Sequence, residues 1–134
     1  IVFSVLFYIV ANSQNNNPNK YLKFNITSLI EDPVVDGNIS GEDIWNSIDP
    51  ITDLKQITPN YGAPVSEKTE IRVAYTPKTL YVAVICYDSA PEKIVVSDSR
   101  RDSNLNDDDS FLFIVDTYND EQNGFLFGTN ADGM

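Results

Sequence analysis

Hydrophobic and polar positions alternate along this chain in short blocks broken by Pro, Gly and Asp. From Tyr21 to Leu29, Leu22, Phe24 and Ile26 fall on one side and Lys23, Asn25 and Thr27 on the other. That two-residue period predicts a half-buried strand. Glu31-Asp-Pro33 ends it, and Asp36-Gly37 predicts a turn. Ser40-Gly-Glu-Asp43 then has the form of a capping box, opening a short helical turn that carries Ile44 and Trp45. Residues 46–68 read as loop, punctuated by Pro50, Pro59-Asn-Tyr-Gly62 and Pro64. A hairpin follows: strand Glu70–Tyr75, turn Thr76-Pro-Lys-Thr79, strand Leu80–Tyr87. The second of these strands is apolar on both faces, with Leu80, Val82, Val84 and Cys86 on one and Tyr81, Ala83 and Ile85 on the other. Such a strand is expected in the middle of a sheet covered on both sides. Phe111–Val115 repeats the pattern, and Gly124–Thr129 follows it more weakly. Many short strands with little helix predict an all-β chain, an antiparallel β-sandwich.

The first residues belong to a different class. Ile1–Ala11 is uncharged and apolar, too short for a bilayer, which needs roughly 20 residues. It matches the core of a secretory signal, with Ala11-Asn12-Ser13 as the cleavage signature. A buried first strand is the alternative. The expected organisation is a truncated signal peptide over 1–13, a polar tether over 14–20, and the sandwich over 21–134. The last strand-like segment runs almost directly to Met134, so the sandwich reads as incomplete at its C-terminal end. The location implied is export.

Charge and composition narrow the chemistry. The net charge is −11, from 9 basic and 20 acidic residues, with no histidine. Phosphate backbones are repelled by such a chain, so no nucleic-acid partner is expected. Without histidine there is no Ser-His-Asp or Cys-His catalysis and no His-ligated zinc. The single cysteine, Cys86, cannot form an internal disulfide. Lying on an apolar strand, it is expected to be a small buried hydrophobe, inert as a nucleophile.

What remains is carboxylate chemistry and hard-cation binding. Asp107-Asp108-Asp109 are the candidate metal ligands, with Asp116, Asp102, Asn104 and Asn106 able to add oxygens. Adjacent carboxylates repel unless a cation or an arginine neutralises them, and calcium takes six to eight oxygens in loose geometry. The alternative is a solvated acidic loop paired with Arg100 and Arg101. No spacing singles out an acid pair for glycoside hydrolysis, so the segment reads as non-catalytic. Tyr61, between Pro59 and Gly62 in a loop, is the candidate exposed ring, since aromatic faces stack on sugars. Trp45 reads instead as a core anchor. Asn25-Ile-Thr27 and Asn38-Ile-Ser40 match the glycosylation acceptor pattern, which matters only in a eukaryotic secretory pathway.

Three segments together carry a resemblance: Val35–Trp45, Lys68–Tyr75 running on through Leu80 to Asp88, and Asp108–Asp116. Their order and spacing resemble the family 9 carbohydrate-binding modules. They resemble more closely the module-like N-terminal domain of large exported bacterial proteins of the Bacteroidetes type. Arg100-Arg-Asp102, Asp116–Asp120 and Asn123–Asn130 are like that second group. The resemblance implies an immunoglobulin-like or jelly-roll sandwich, calcium in some members, and linkage to glycoside hydrolases. It also departs from the sugar-binding pattern of a Trp three residues before an Asp-Ser-x-Glu motif. Asp109-Ser110 matches, but Asn106 stands at the Trp position and Leu112 at the Glu position, and the position of the family's sugar-contacting Arg falls near Gly128.

The expected function is a non-catalytic carbohydrate-binding domain of an exported envelope protein engaged in polysaccharide catabolism. Tyr61, Arg100 and Asn106 would contact the sugar, and calcium on Asp107, Asp108, Asp109 and Asp116 would order the acidic loop. The partners would be a poly- or oligosaccharide and the C-terminal domain of the same parent chain, itself a candidate hydrolase of O-glycosyl bonds. The rival is an interaction domain that has lost sugar binding and packs on an outer-membrane β-barrel domain.

Overall fold

The computed structural model describes residues 24–133 except 99, 102, 104, 106 and 121. The expected signal peptide and tether over 1–20 lie outside the described residues. The described chain divides into two compact units, 24–89 and 90–133.

In the first unit, β1 (Thr27–Ser28), β2 (Thr69–Tyr75) and β3 (Leu80–Cys86) form a sheet in the order β1-β2-β3. β2 and β3 pair antiparallel from Thr69↔Cys86 to Tyr75↔Leu80, and β1 runs parallel to the end of β2. The Thr76–Thr79 turn is closed by the Thr76 N–H donating to the Thr79 carbonyl at 2.9 Å. Ile51 bridges Ile71 through two backbone hydrogen bonds of 2.8 and 3.1 Å.

Directly paired residues share a face of the sheet. Arg72, Ala74, Tyr81 and Ala83 therefore lie on one face, and Ile71, Val73, Val82 and Val84 on the other. Helix α1 (Asp43–Asn46) presents Trp45, and Trp45, Ile48 and Leu29 gather with Ala74 and Ala83. Ala74 is fully buried and Trp45 only 5% exposed. Alanines at 74 and 83 leave the volume that an indole fills, as close packing requires. Ile71 and Val73 on the opposite face are also buried, so β2 is covered on both sides.

Four expectations for this unit are corrected. The strand read from Tyr21 to Leu29 is reduced, among the described residues, to Thr27–Ser28. Its alternation is real, but β2 gives it pairing partners only at Ala74 and Tyr75. The central strand of the three is β2, not β3; apolarity on both faces does not tell which strand has neighbours on both edges. Cys86 ends β3 and is exposed. Finally, the capping box does not form: Glu42 is the helix N-cap and makes no side-chain cap bond. Ser40 is taken up in a one-turn 3-10 helix, Ile39–Gly41. The turn at Asp36-Gly37 is present, with Gly37 at φ +81° and the Asn38 N–H donating to Asp36 Oδ1.

In the second unit β4 (Ser110–Val115) pairs antiparallel with β5 (Phe125–Asn130), in register from Ser110↔Asn130 to Val115↔Phe125. Phe111, Phe113, Phe125 and Phe127 share one face of this ribbon. The Phe113 and Phe127 rings stack at 5.3 Å between centroids. On the other face a Cβ at Gly128 would come within 2.9 Å of Leu105 Cδ1 and 2.8 Å of Leu112 Cδ2. The missing side chain is what lets Leu105 lie there. Besides these strands the described chain has the four-residue helix and two one-turn 3-10 helices. It is all-β. No helix among the described residues is long and apolar enough to cross a membrane.

Candidate functional site

The loop carrying Tyr61 is closed on itself. The Gln56 N–H donates to the Ala63 carbonyl (2.9 Å), Gly62 to Gln56 (2.8 Å) and Ala63 to Asn60 (3.0 Å). Gln56 Nε2 adds a bond to the Pro64 carbonyl at 2.7 Å, where Lys55 and Pro64 bridge. Gly62 takes φ +77°, a conformation that an L side chain resists. These bonds hold Tyr61 at the loop tip with 63% of its surface exposed. The ring is thus presented on an ordered support, flanked by the amide side chain of the exposed Asn60.

The acidic segment has a different arrangement. Asp108 Oδ1 accepts the Ser97 backbone N–H at 2.8 Å and the Ser97 hydroxyl, and Oδ2 accepts Asn130 Nδ2 at 3.0 Å. Ser97 first, then Asn130, pulls the Asp108 carboxyl below the ordinary carboxylate range. Asp109 Oδ2 accepts the Val95 N–H at 2.7 Å, and the Asp109 N–H donates to the Val95 carbonyl at 2.9 Å. Asp107 is exposed. Asp116 sits beyond the far end of β4, where its Oδ1 accepts the Tyr118 N–H at 3.0 Å. Seven steps along extended chain separate it from Asp109, about 23 Å at the rise of a strand. Asp116 therefore cannot share one ion with Asp107–Asp109. Among the described residues no three carboxylate or thiol groups converge as a metal site. The oxygens of Asp108 face N–H and O–H donors, which a calcium ion bound there would have to displace.

Arg100 is committed to Asp98. Its Nε donates to both carboxylate oxygens at 3.0 Å and its Nη2 to Oδ2 at 2.5 Å. The Arg100 side chain, then its backbone N–H, holds the Asp98 carboxyl at about 2. Arg100 thus pairs with Asp98, while Asp108 and Asp109 take their donors from Ser97, Asn130 and Val95. Asn106, the remaining sugar-contact candidate, lies outside the described residues. Tyr61 belongs to the 24–89 unit, and Arg100 and the aspartates to the 90–133 unit.

Two polar clusters were not singled out from sequence. On β2, Glu70 is buried between Lys68, whose Nζ is 2.5 Å from Oε1, and Arg72, whose Nη1 donates to Oε2 at 2.9 Å. Lys68 first, then Arg72, lowers the Glu70 carboxyl, and Lys68 lies 5.1 Å from the Tyr87 ring centroid. The i, i+2 spacing of three charges on one strand face was the available signal. Asn130, 6% exposed at the end of β5, bonds both Asp108 and the Asp98 carbonyl; no local pattern marks an asparagine for that role. Comparison with protein-family models, curated proteins and solved structures found no match.

Proposed function

We propose that this chain is a non-catalytic, carbohydrate-binding-module-like domain of an exported envelope protein that handles polysaccharide. The observation that carries the reading is Tyr61: an exposed ring on a loop whose own hydrogen bonds order it before any ligand arrives. A pre-ordered loop loses little conformational entropy on binding, and a tyrosine presents both a stacking face and a hydroxyl to a sugar ring. The all-β architecture and the three resembling segments support the finer assignment to a sandwich of this kind. Arg100, tied to Asp98, acts here as a loop brace. Affinity electrophoresis in soluble β-glucan, xylan and mannan tests the reading. At least one glycan should retard the protein, and Tyr61→Ala should abolish the retardation. Equal retardation of wild type and variant, or none by any glycan, removes Tyr61 from the function.

A second reading is favoured by one observation. Phe125 and Phe127 on one face of the β4–β5 ribbon, and Leu112 and Leu126 on the other, are about half exposed or more. A two-stranded ribbon with apolar groups exposed on both faces is marginal alone, and such patches mark interaction surfaces. On this reading the domain docks against another domain of the parent chain. Phe127→Ser would then weaken that association while leaving glycan retardation unchanged.

A further inference from the structure

We infer that the acidic segment ahead of β4 is closed by an aspartate–asparagine clamp and not by a divalent cation. The clamp is a chain of contacts between three stretches distant in sequence. Asp108 takes two donors from Ser97 on one oxygen and the Asn130 amide on the other. The same Asn130 amide nitrogen donates to the Asp98 carbonyl at 3.1 Å. Asp109 and Val95 are joined by the reciprocal pair of bonds already described. Residues 95–98 are thereby fastened to the start of β4 and the end of β5, and Asn130 is the buried element at the centre.

The electrostatics fit this role. The carboxylate at the centre of the three aspartates needs compensation, and the Ser97 N–H, the Ser97 hydroxyl and the Asn130 amide supply it: a carboxylate accepting three donors is stabilised in its charged form without a counter-ion. Asp98 is neutralised separately by Arg100. Asp107, next to Asp108 in the chain, is exposed, and the Asp132 N–H donates to Asn130 Oδ1 at 3.2 Å. A calcium ion ligated by Asp108 would have to take oxygens already bonded to donors, at the expense of those bonds.

The test compares thermal unfolding of the whole chain in EDTA and in millimolar calcium chloride, together with amide hydrogen exchange at Val95 and Ser97. Wild type should melt at the same temperature in both media, with the two amides protected. Asp108→Ala and Asn130→Ala should each lower the melting temperature by a few degrees and release the Ser97 amide. The double variant should lose no more than the worse single, because both remove one coupled unit. Asp107→Asn should do neither. Where the alanine variants fail to fold, Asp108→Asn keeps the volume and an acceptor for Ser97 while setting two amide donors against each other, and should lower the melting temperature and leave the Ser97 amide less protected than in wild type. The inference is overturned if calcium raises the wild-type melting temperature and Asp108→Asn abolishes that rise, or if Ser97 exchanges freely in wild type. A rise that Asp108→Asn retains in full places the ion elsewhere and leaves the clamp standing.

Discussion

Replacing Trp45 by alanine should unfold the 24–89 unit or bring it close to unfolding. The indole is 5% exposed and gathers with Leu29, Ile48, Ala74 and Ala83, the buried cluster of this unit. A fully buried tryptophan removes up to about 250 Å² from water. At about 25 cal/mol per Å² that is roughly 6 kcal/mol, and a compact unfolded state reduces it to about 4 kcal/mol. The value agrees with the 3–5 kcal/mol seen on average, at about this size, for aromatic-to-alanine changes in cores. It is large against a total stability of about 5–15 kcal/mol. The residues around the pocket cannot collapse to fill it, since the alanines at 74 and 83 are small and belong to paired strands. With a urea slope near ~2 kcal/mol per M, the midpoint moves down by about 2 M. Far-UV circular dichroism is the assay, because the substitution removes the chain's one tryptophan. Trp45→Phe, keeping a ring in the pocket, should lose only about 1–2 kcal/mol. A midpoint shift below ~0.5 M at unchanged slope for Trp45→Ala would refute the placement of the core.

Other expectations follow from individual contacts. Glu70 has its folded pKa lowered by Lys68 and Arg72, so its contribution is whole above its ordinary value of 4.5 and fades as pH falls through the lower folded value. Melting curves taken from neutral to acid pH should therefore fall less steeply for Glu70→Gln than for wild type; parallel curves would show that Glu70 is not paired. Gly62→Ala forces a side chain onto a φ of +77° and should cost about 1–2 kcal/mol, with a matching loss of glycan retardation through Tyr61. An unchanged melting temperature would show that the loop adapts. Cys86, exposed at the end of β3, should react with an aromatic disulfide reagent in the native protein; reaction only in denaturant would place it inside.

Much of the strand content was legible locally. β2 through β5 match the apolar blocks within a residue or two, because alternation, β-branched content and Pro or Gly punctuation all act over neighbouring residues. Trp45 as an anchor and Tyr61 as an exposed ring were legible for the same reason: one follows an apolar position in a short turn, the other stands between Pro59 and Gly62. The capping box at Ser40 failed because the Ile39–Gly41 turn claims that backbone first. The short β1 failed because a strand's length is set by the partner it pairs with.

The sequence by itself determined the class of the protein: all-β, acidic, without histidine chemistry, and with a single cysteine. These follow from composition and from a two-residue period, which need no knowledge of what lies across space. Only the tertiary structure decided that β2 and not β3 is central among the described strands, that Cys86 is exposed, and that Asp116 stands a strand's length from Asp109. It alone joined Asp108 to Ser97 and Asn130. An aspartate's role depends on whether donors or a cation meet it, and those donors come from segments 11 and 22 residues away. Such partners are fixed by chain crossing and register, which hydrophobic patterning does not encode.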